Sequence, residues 1–182
     1  MAPDERRLTD ASPPSEAQVD QLREMVKGLE EEVVAGILDS YDLRPHLTPM
    51  ELSFVLDNAP SEHDRTQFIW RYEAAWTLLW ALGFVVQLGK PAQICDVEFA
   101  ARTMTGTTTS QFIEDSELRP ISDILDEADL IYRYHWAVVD ARLKGQPMPA
   151  GLNPDVTLER HHALNWLIGY LEQAWDDVTT ST

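Results

Sequence analysis

The sequence predicts an all-α protein, a single compact, bundle-like helical domain of about five to seven helices. Apolar residues recur at spacings of three and four over long segments, and Ser, Thr or Asn residues suited to N-caps precede several of them. No segment shows a strong alternation of apolar and polar residues, which is the signature of a half-buried strand. With 182 residues and 44% hydrophobic content, the chain can bury the core that such a bundle needs.

The domain is predicted to cover residues 15–182, after a disordered tail at residues 1–14. The tail is rich in Pro, Asp, Arg and Ala. Ser15 then has the character of an N-cap, and we expect the amphipathic helix that follows to end near Ser40. Its apolar face comprises Val19, Leu22, Val26, Leu29, Val33 and Ile37. Packing on the rest of the chain is the favoured role of this face, but a homo-oligomer through the first helix stays open.

Two helices are predicted next. The shorter begins after Thr48, with Pro49 in a position that suits the first turn, and ends near Asp57. The longer begins after the N-cap Ser61 and is expected to reach about Val86, because its second half is apolar on every side.

The remaining segments predict short helices followed by two long ones. Residues 93–118 read as two short helices or turns around a Thr-rich segment, with a strand at the threonines as the alternative. A long helix over about 120–144 should end at Gly145. The last helix, capped by Asn153, is expected to run to about Asp177.

Composition narrows the classes of function. There are 14 basic against 31 acidic residues, a net charge of −17, which argues against a nucleic-acid partner. A single cysteine, Cys95, leaves no internal disulfide and no cysteine-based metal framework. The charge-free segment Ala74–Gly89 is too short to span a membrane, and the first residues have no secretory signal. We therefore expect a cytoplasmic protein without a membrane partner.

Glu73 is the most informative polar position. Its helical neighbours are bulky and apolar, so its carboxylate needs a basic partner or has a raised pKa. Candidate partners on other helices are Arg133, His135, Arg160 and His161. A buried ion pair is the favoured interpretation, with a general acid as the alternative.

Glu159 and His162 form an E-x-x-H motif that could ligate a metal ion. Di-iron bundles need two such motifs, but Tyr132 occupies the position where His135 would need a glutamate. We therefore predict no metal and no cofactor. Nucleophile-elbow and phosphate-loop motifs are also absent from the sequence, so no residue is nominated as catalytic.

Three segments resemble a bacterial family known as domain of unknown function 4272, over about residues 48–182. They are Trp70–Gly83, Leu118–Arg142 and Glu159–Thr182. The resemblance implies a compact, mainly helical domain without an assigned activity. The matching positions are Arg71, Glu73, Arg133, His135, Trp136, Glu159, Arg160, Asn165, Trp166 and Trp175–Val178.

Two functions are compatible with these features. The leading hypothesis is binding of a protein partner, with a basic protein favoured by the charge, in an immunity-like or accessory role. The expected surface is an acidic patch from Glu30–Glu32 and Asp123–Asp129 beside an exposed Trp70 or Trp136. The alternative is an enzyme or small-ligand-binding protein that uses a polar network between the long helices. The predicted network consists of Arg71, Glu73, Arg133, His135, Glu159 and His161.

Overall fold

A computed structural model describes residues 32–182, in which all regular structure is helical and no β-strand occurs. The all-α prediction is confirmed. The predictions for the tail at 1–14 and the N-cap at Ser15 lie outside the described residues. The seven α-helices of the described chain are α1 (residues 32–40, the described part), α2 (Pro49–Leu56), α3 (Glu62–Ala81), α4 (Val97–Thr105), α5 (Thr109–Asp115), α6 (Ile121–Leu143) and α7 (Pro154–Leu167).

The chain divides into two units. The described part of the smaller unit comprises residues 32–47 and Glu51–Asn58. Its helix α1 ends at residue 40, as the sequence predicted. On α1, Val33 and Ile37 are exposed, but the other predicted seam positions lie outside the described residues, so a homo-oligomer through this helix stays a prediction.

The larger unit, Thr48–Met50 with Ala59–Thr182, holds all of the candidate site residues and is built around α7. Helix α7 packs against both α3 and α6. Its N-cap is Asn153, whose side-chain oxygen accepts hydrogen bonds from the next free backbone N–H groups. The apolar core beside it consists of Leu79, Trp80, Ala81, Val85, Leu88, Ala100, Ile124, Ala128, Ile131 and Leu164.

Helix α3 ends at Ala81, five residues before the predicted end at Val86. The reason is a C-terminal turn at Gly83, whose φ of +86° suits glycine. The Gly83 N–H donates to the carbonyl of Trp80 and the Phe84 N–H to that of Leu79, at 3.0 Å each. The apolar residues after Gly83 still enter the core, but as irregular chain.

Arg119 holds this irregular chain in place. Its Nε donates to the carbonyl of Trp80 at 2.7 Å, and its Nη2 donates to those of Val85 at 2.7 Å and Val86 at 3.0 Å. Its backbone N–H also donates to the carbonyl of Ala81 at 2.9 Å. One guanidinium therefore satisfies carbonyls that a longer helix would have paired internally.

Helix α7 ends at Leu167, and the prediction that it runs to Asp177 is wrong. Gly169 adopts a left-handed conformation, and two 3₁₀ turns follow, Tyr170–Glu172 and Trp175–Asp177. Apolar spacing alone did not reveal this break.

The other helices follow the sequence more closely. Helix α6 covers Ile121–Leu143, and Gly145 follows it with a φ of +62°. The strand alternative for the Thr-rich segment is wrong, because Thr108 caps α5 and Thr109 is already helical.

Candidate functional site

The buried polar residues of the larger unit are concentrated on α7. Four consecutive side chains, Glu159, Arg160, His161 and His162, are all buried, and Asn165 joins them one turn later. Consecutive helical residues point about 100° apart, so these side chains meet different neighbours on α3, α6 and the chain after α7. The site is therefore a set of polar contacts on different sides of one helix.

The innermost contact is an ion pair between Glu73 of α3 and Arg160 of α7. Arg160 Nε lies 3.0 Å from Glu73 Oε2, and the two side chains are only 4% and 2% exposed. The backbone N–H of Cys95 donates to the other carboxylate oxygen. Arg160 Nη1 donates to the carbonyls of Leu88 at 2.8 Å and Gly89 at 3.2 Å. The pair thus joins two helices and the loop between α3 and α4.

Cys95 itself is an unreactive thiol. Burial, reinforced by the negative charge of Glu73, raises its pKa to about 12. The Sγ atom lies 3.6 Å from the carbonyl oxygen of Tyr72. Since the thiolate is the nucleophilic form, this cysteine is not a nucleophile at neutral pH.

The second contact pairs Arg71 of α3 with Glu159 of α7. Arg71 Nη1 lies 3.3 Å from Glu159 Oε2, and the arginine side chain is 28% exposed. Its guanidinium carbon also lies 5.7 Å from the centroid of the Trp175 ring. Burial raises the pKa of Glu159, and the charge of Arg71 partly offsets that effect. This pair is the polar contact nearest to solvent.

The third contact joins two histidines, His135 of α6 and His161 of α7. Their Nδ1 atoms are 2.8 Å apart, so one imidazole donates its proton and the other accepts it. Burial lowers the pKa of both rings, that of His161 to about 4, with the neighbouring His135 and His162 adding to the effect. Both rings are therefore neutral at pH 7.

His162 points toward the chain after α7. Its ring stands edge to face against Trp175, with centroids 4.7 Å apart. Its Nε2 atom is buried without a hydrogen-bond partner. Burial, followed by the charge of Arg71, lowers its pKa to about 4, while the nearby Asp176 acts in the opposite direction.

A family model for a domain of unknown function, DUF4272, matches residues 16–178. The chain belongs to the DUF4272 family. The match starts well before residue 48, where the resemblance in the sequence began, so the family region includes the predicted first helix. Searches of curated proteins and of solved structures find no match.

The DUF4272 chain brings together five of the six predicted network residues, but as separate contacts. Glu73 is paired with Arg160, Arg71 with Glu159, and His135 with His161. Arg133 is not among them, because its exposed side chain binds Asp129 of its own helix at 2.8 Å. Whether the other five residues bind a ligand stays a prediction.

Sequence reasoning missed two features of this DUF4272 site: the contact of Trp175 with His162, and the Nε2 atom of His162 that has no hydrogen-bond partner. Trp175 was matched only as part of the family motif, and its contact depends on a chain reversal at Gly169 that the apolar spacing concealed. Of the described residues, no group of three or more His, Cys, Asp or Glu side chains is placed to hold a metal ion. Within residues 32–182, each helix is too short or too polar to span a lipid bilayer.

Chemically, the DUF4272 site consists of groups that mostly satisfy one another. Both carboxylate oxygens of Glu73 accept hydrogen bonds within the chain, and its charge is paired with that of the buried Arg160. A buried ion pair of this kind fixes the arrangement of helices.

Proposed function

We propose that this DUF4272 chain is a binding module that recognises a basic protein partner through the outer face of α6. The observation that carries the proposal is a ridge of exposed apolar side chains along this helix. The ridge consists of Ile121, Leu125, Tyr132, Trp136 and Leu143. At 100° per residue these positions lie within an arc of about 60°, so they form one continuous stripe.

The ridge has the chemistry of an interface centre. Trp136 is 54% and Tyr132 44% exposed, although both aromatic rings would gain from burial. Aromatic side chains dominate the energetics of protein interfaces. A contiguous apolar stripe on a helix surface is uncommon unless another surface covers it.

The charge supports a basic partner. Asp123, Asp126 and Asp129 are exposed on the same helix as the ridge, and the whole chain has a net charge of −17. Such a field accelerates encounters with positively charged proteins and repels acidic ones. The immunity-like or accessory role, and a cytoplasmic location in a bacterial cell, belong to this proposal.

The alternative, an enzyme or small-ligand binder that uses the polar network, has less support. Glu73 and Arg160 are hydrogen-bonded to each other and to backbone groups, and His135 and His161 are hydrogen-bonded to each other. The network therefore presents few groups to a ligand.

The test is affinity capture from a lysate of the source organism, followed by binding measurements with the purified captured protein. We expect a positively charged protein that binds the wild-type chain and dissociates more readily as salt is raised. The variant Trp136→Ala should weaken its binding at least about tenfold. The matched control is Ile113→Ala, which alters an exposed apolar side chain on α5.

Equal binding by wild type, Trp136→Ala and Leu125→Ala would contradict the proposed surface. Captured proteins that are acidic, or whose affinity does not change with salt, would contradict the proposed chemistry of the partner.

A further inference from the structure

The chain after α7 folds back over His162, where Trp175 also lies 5.7 Å from the guanidinium carbon of Arg71. Asn165 Nδ2 donates to the carbonyl of Thr179 at 2.9 Å, and the carboxylate of Asp176 accepts from the backbone N–H of Met50 at 3.0 Å. The ring of Trp175 lies between those of His162 and Trp166, with centroid distances of 4.7 and 5.3 Å. Residues 173–179 thus cover the histidine without a continuous helix to anchor them.

The connection to this segment is conformationally strained. After Gly169, with a φ of +67°, both Leu171 and Glu172 adopt a φ of +55°. Side chains other than glycine rarely adopt this left-handed conformation, since Cβ crowds the backbone there. Strain of this kind persists only where surrounding contacts enforce it. Release of the covering segment would relieve it.

The surface beneath the segment contains an unsatisfied polar atom. Nε2 of His162 has no hydrogen-bond partner, and the residue is 8% exposed. A buried polar atom without a partner destabilises the covered state, because water would satisfy it once the cover left. The unsatisfied Nε2 of His162 is therefore a cost that the covered state carries and an uncovered state would not.

From this arrangement we propose that residues 173–179 form a latch over His162, hinged at residues 169–172, which opens when acid protonates the imidazole. The closed latch requires a neutral ring, since a charged one would be buried against Trp175 and close to Arg71. Opening gives Nε2 access to water and relaxes the hinge.

The charged and titratable groups around His162 set the direction of the effect. Arg71 of α3 opposes protonation and Asp176 of the latch favours it. On α7 itself, Glu159 is paired with Arg71, and His161 is a second neutral imidazole. In the closed state burial lowers the pKa of His162 to about 4. In the open state its pKa returns to about 6.5.

The open state therefore binds more protons between these two pKa values. Closure is fully favoured above about pH 6.5 and is lost progressively as the pH falls toward 4. The ratio of closed to open states should fall roughly 30-fold between pH 7.5 and pH 5.

Amide hydrogen exchange of the full chain tests this inference. The backbone N–H of Asp177, Val178 and Thr179 donate hydrogen bonds within the latch. After correction for intrinsic exchange rates, we expect their protection to fall roughly 30-fold from pH 7.5 to pH 5. In His162→Gln, which cannot titrate, this fall should disappear. The matched control His63→Gln, an exposed histidine of α3, should retain it.

A second measurement covers the case in which His162→Gln does not fold. In the wild-type chain, the ring of His162 should titrate by NMR with a pKa near 4, and in Trp175→Ala with a pKa closer to 6.5. The latch is refuted if latch amides and α7 amides lose protection together, which means global unfolding. Equal pH dependence in His162→Gln, or an unchanged His162 pKa in Trp175→Ala, also refutes it.

Discussion

The buried residues of α7 and the exposed residues of α6 have opposite chemical character, because polar side chains are buried on α7 and apolar side chains are exposed on α6. On α7, Glu159, Arg160, His161 and His162 are buried. On α6, Leu125, Tyr132, Trp136 and Leu143 are exposed, each at least 44%. In a typical amphipathic helix the apolar stripe faces the core and the polar stripe faces water.

The comparison shows that the charged groups of α7 find partners inside the chain, whereas the apolar side chains of the α6 ridge stay exposed to solvent. Nearly every charge buried on α7 has a partner within the larger unit, as a buried charge must. The side chains of the ridge on α6 are 44–80% exposed, although the ring of Tyr132 also stands edge to face against that of His161, with centroids 5.9 Å apart. We infer that the polar interior serves the fold, and that the apolar exterior serves binding.

The largest expected effect comes from breaking the ion pair in the interior. Glu73→Gln leaves Arg160 charged and buried without its counter-ion, so the free energy of unfolding should fall by about 3–5 kcal/mol. Urea denaturation at pH 7.5 measures the change. The matched control, Asp129→Asn, breaks the exposed pair with Arg133 and should leave the free energy of unfolding close to that of wild type. A small effect of Glu73→Gln with loss of an activity would instead favour the enzyme hypothesis.

The next effect is the pH dependence of global stability that comes from His161. Burial lowers its pKa to about 4 in the folded chain, whereas the unfolded chain titrates near 6.5, so the unfolded state binds more protons between those values. Stability from this residue is present above pH 6.5 and should fall by about 2 kcal/mol by pH 5. The difference in urea unfolding between pH 7.5 and pH 5 should shrink in His161→Gln and persist in His63→Gln. An unchanged pH dependence in His161→Gln would mean that His161 has the same pKa in the folded and the unfolded chain.

An effect of similar size is expected at the turn that ends α3 and brings the carbonyls of Leu88 and Gly89 to Arg160. In Gly83→Ala, the new Cβ would lie 3.0 Å from the carbonyl oxygen of Glu117, at a φ of +86°. Left-handed strain and this close contact together should cost about 2 kcal/mol. Gly145→Ala is the control, because Gly145 has a φ of +62° but nothing within 4 Å of the added atom. The loss of stability in Gly145→Ala, measured by thermal unfolding, gives the cost of the left-handed conformation alone. The additional loss in Gly83→Ala gives the cost of the steric contact with Glu117, and equal losses in the two variants would argue against that contact.

The sequence predicted helix starts better than helix ends. Ser61 and Asn153 cap their helices through their own side chains, which is a local effect that a sequence displays directly. The ends at Ala81 and Leu167 depend on glycines inside apolar segments and, for α3, on Arg119 donating from 38 or more residues later in the chain. Such long-range hydrogen bonds leave no periodic signal.

In the candidate site, too, local features could be predicted from the sequence and contacts between distant segments could not. An unusual glutamate among apolar residues pointed to Glu73, and the list of possible partners included Arg160. Arg133 was a wrong member of the network because its local i, i+4 partner Asp129 satisfies it at the surface. Trp175 and the latch could not be predicted, since they require the reversal of the chain at Gly169.

The smallest expected change in stability comes from a substitution in the exposed ridge of α6. This substitution is also the most informative test of the proposed binding function. Trp136→Ala removes a large ring that is 54% exposed. Its free energy of unfolding should therefore fall by at most about 1 kcal/mol, while the affinity for the partner falls. The control Ile131→Ala, on the buried side of the same helix, should cost about 2–5 kcal/mol. If Trp136→Ala instead destabilises the chain as much as Ile131→Ala, the ridge is part of the folded core in solution, and the proposed separation between a structural interior and a binding exterior fails.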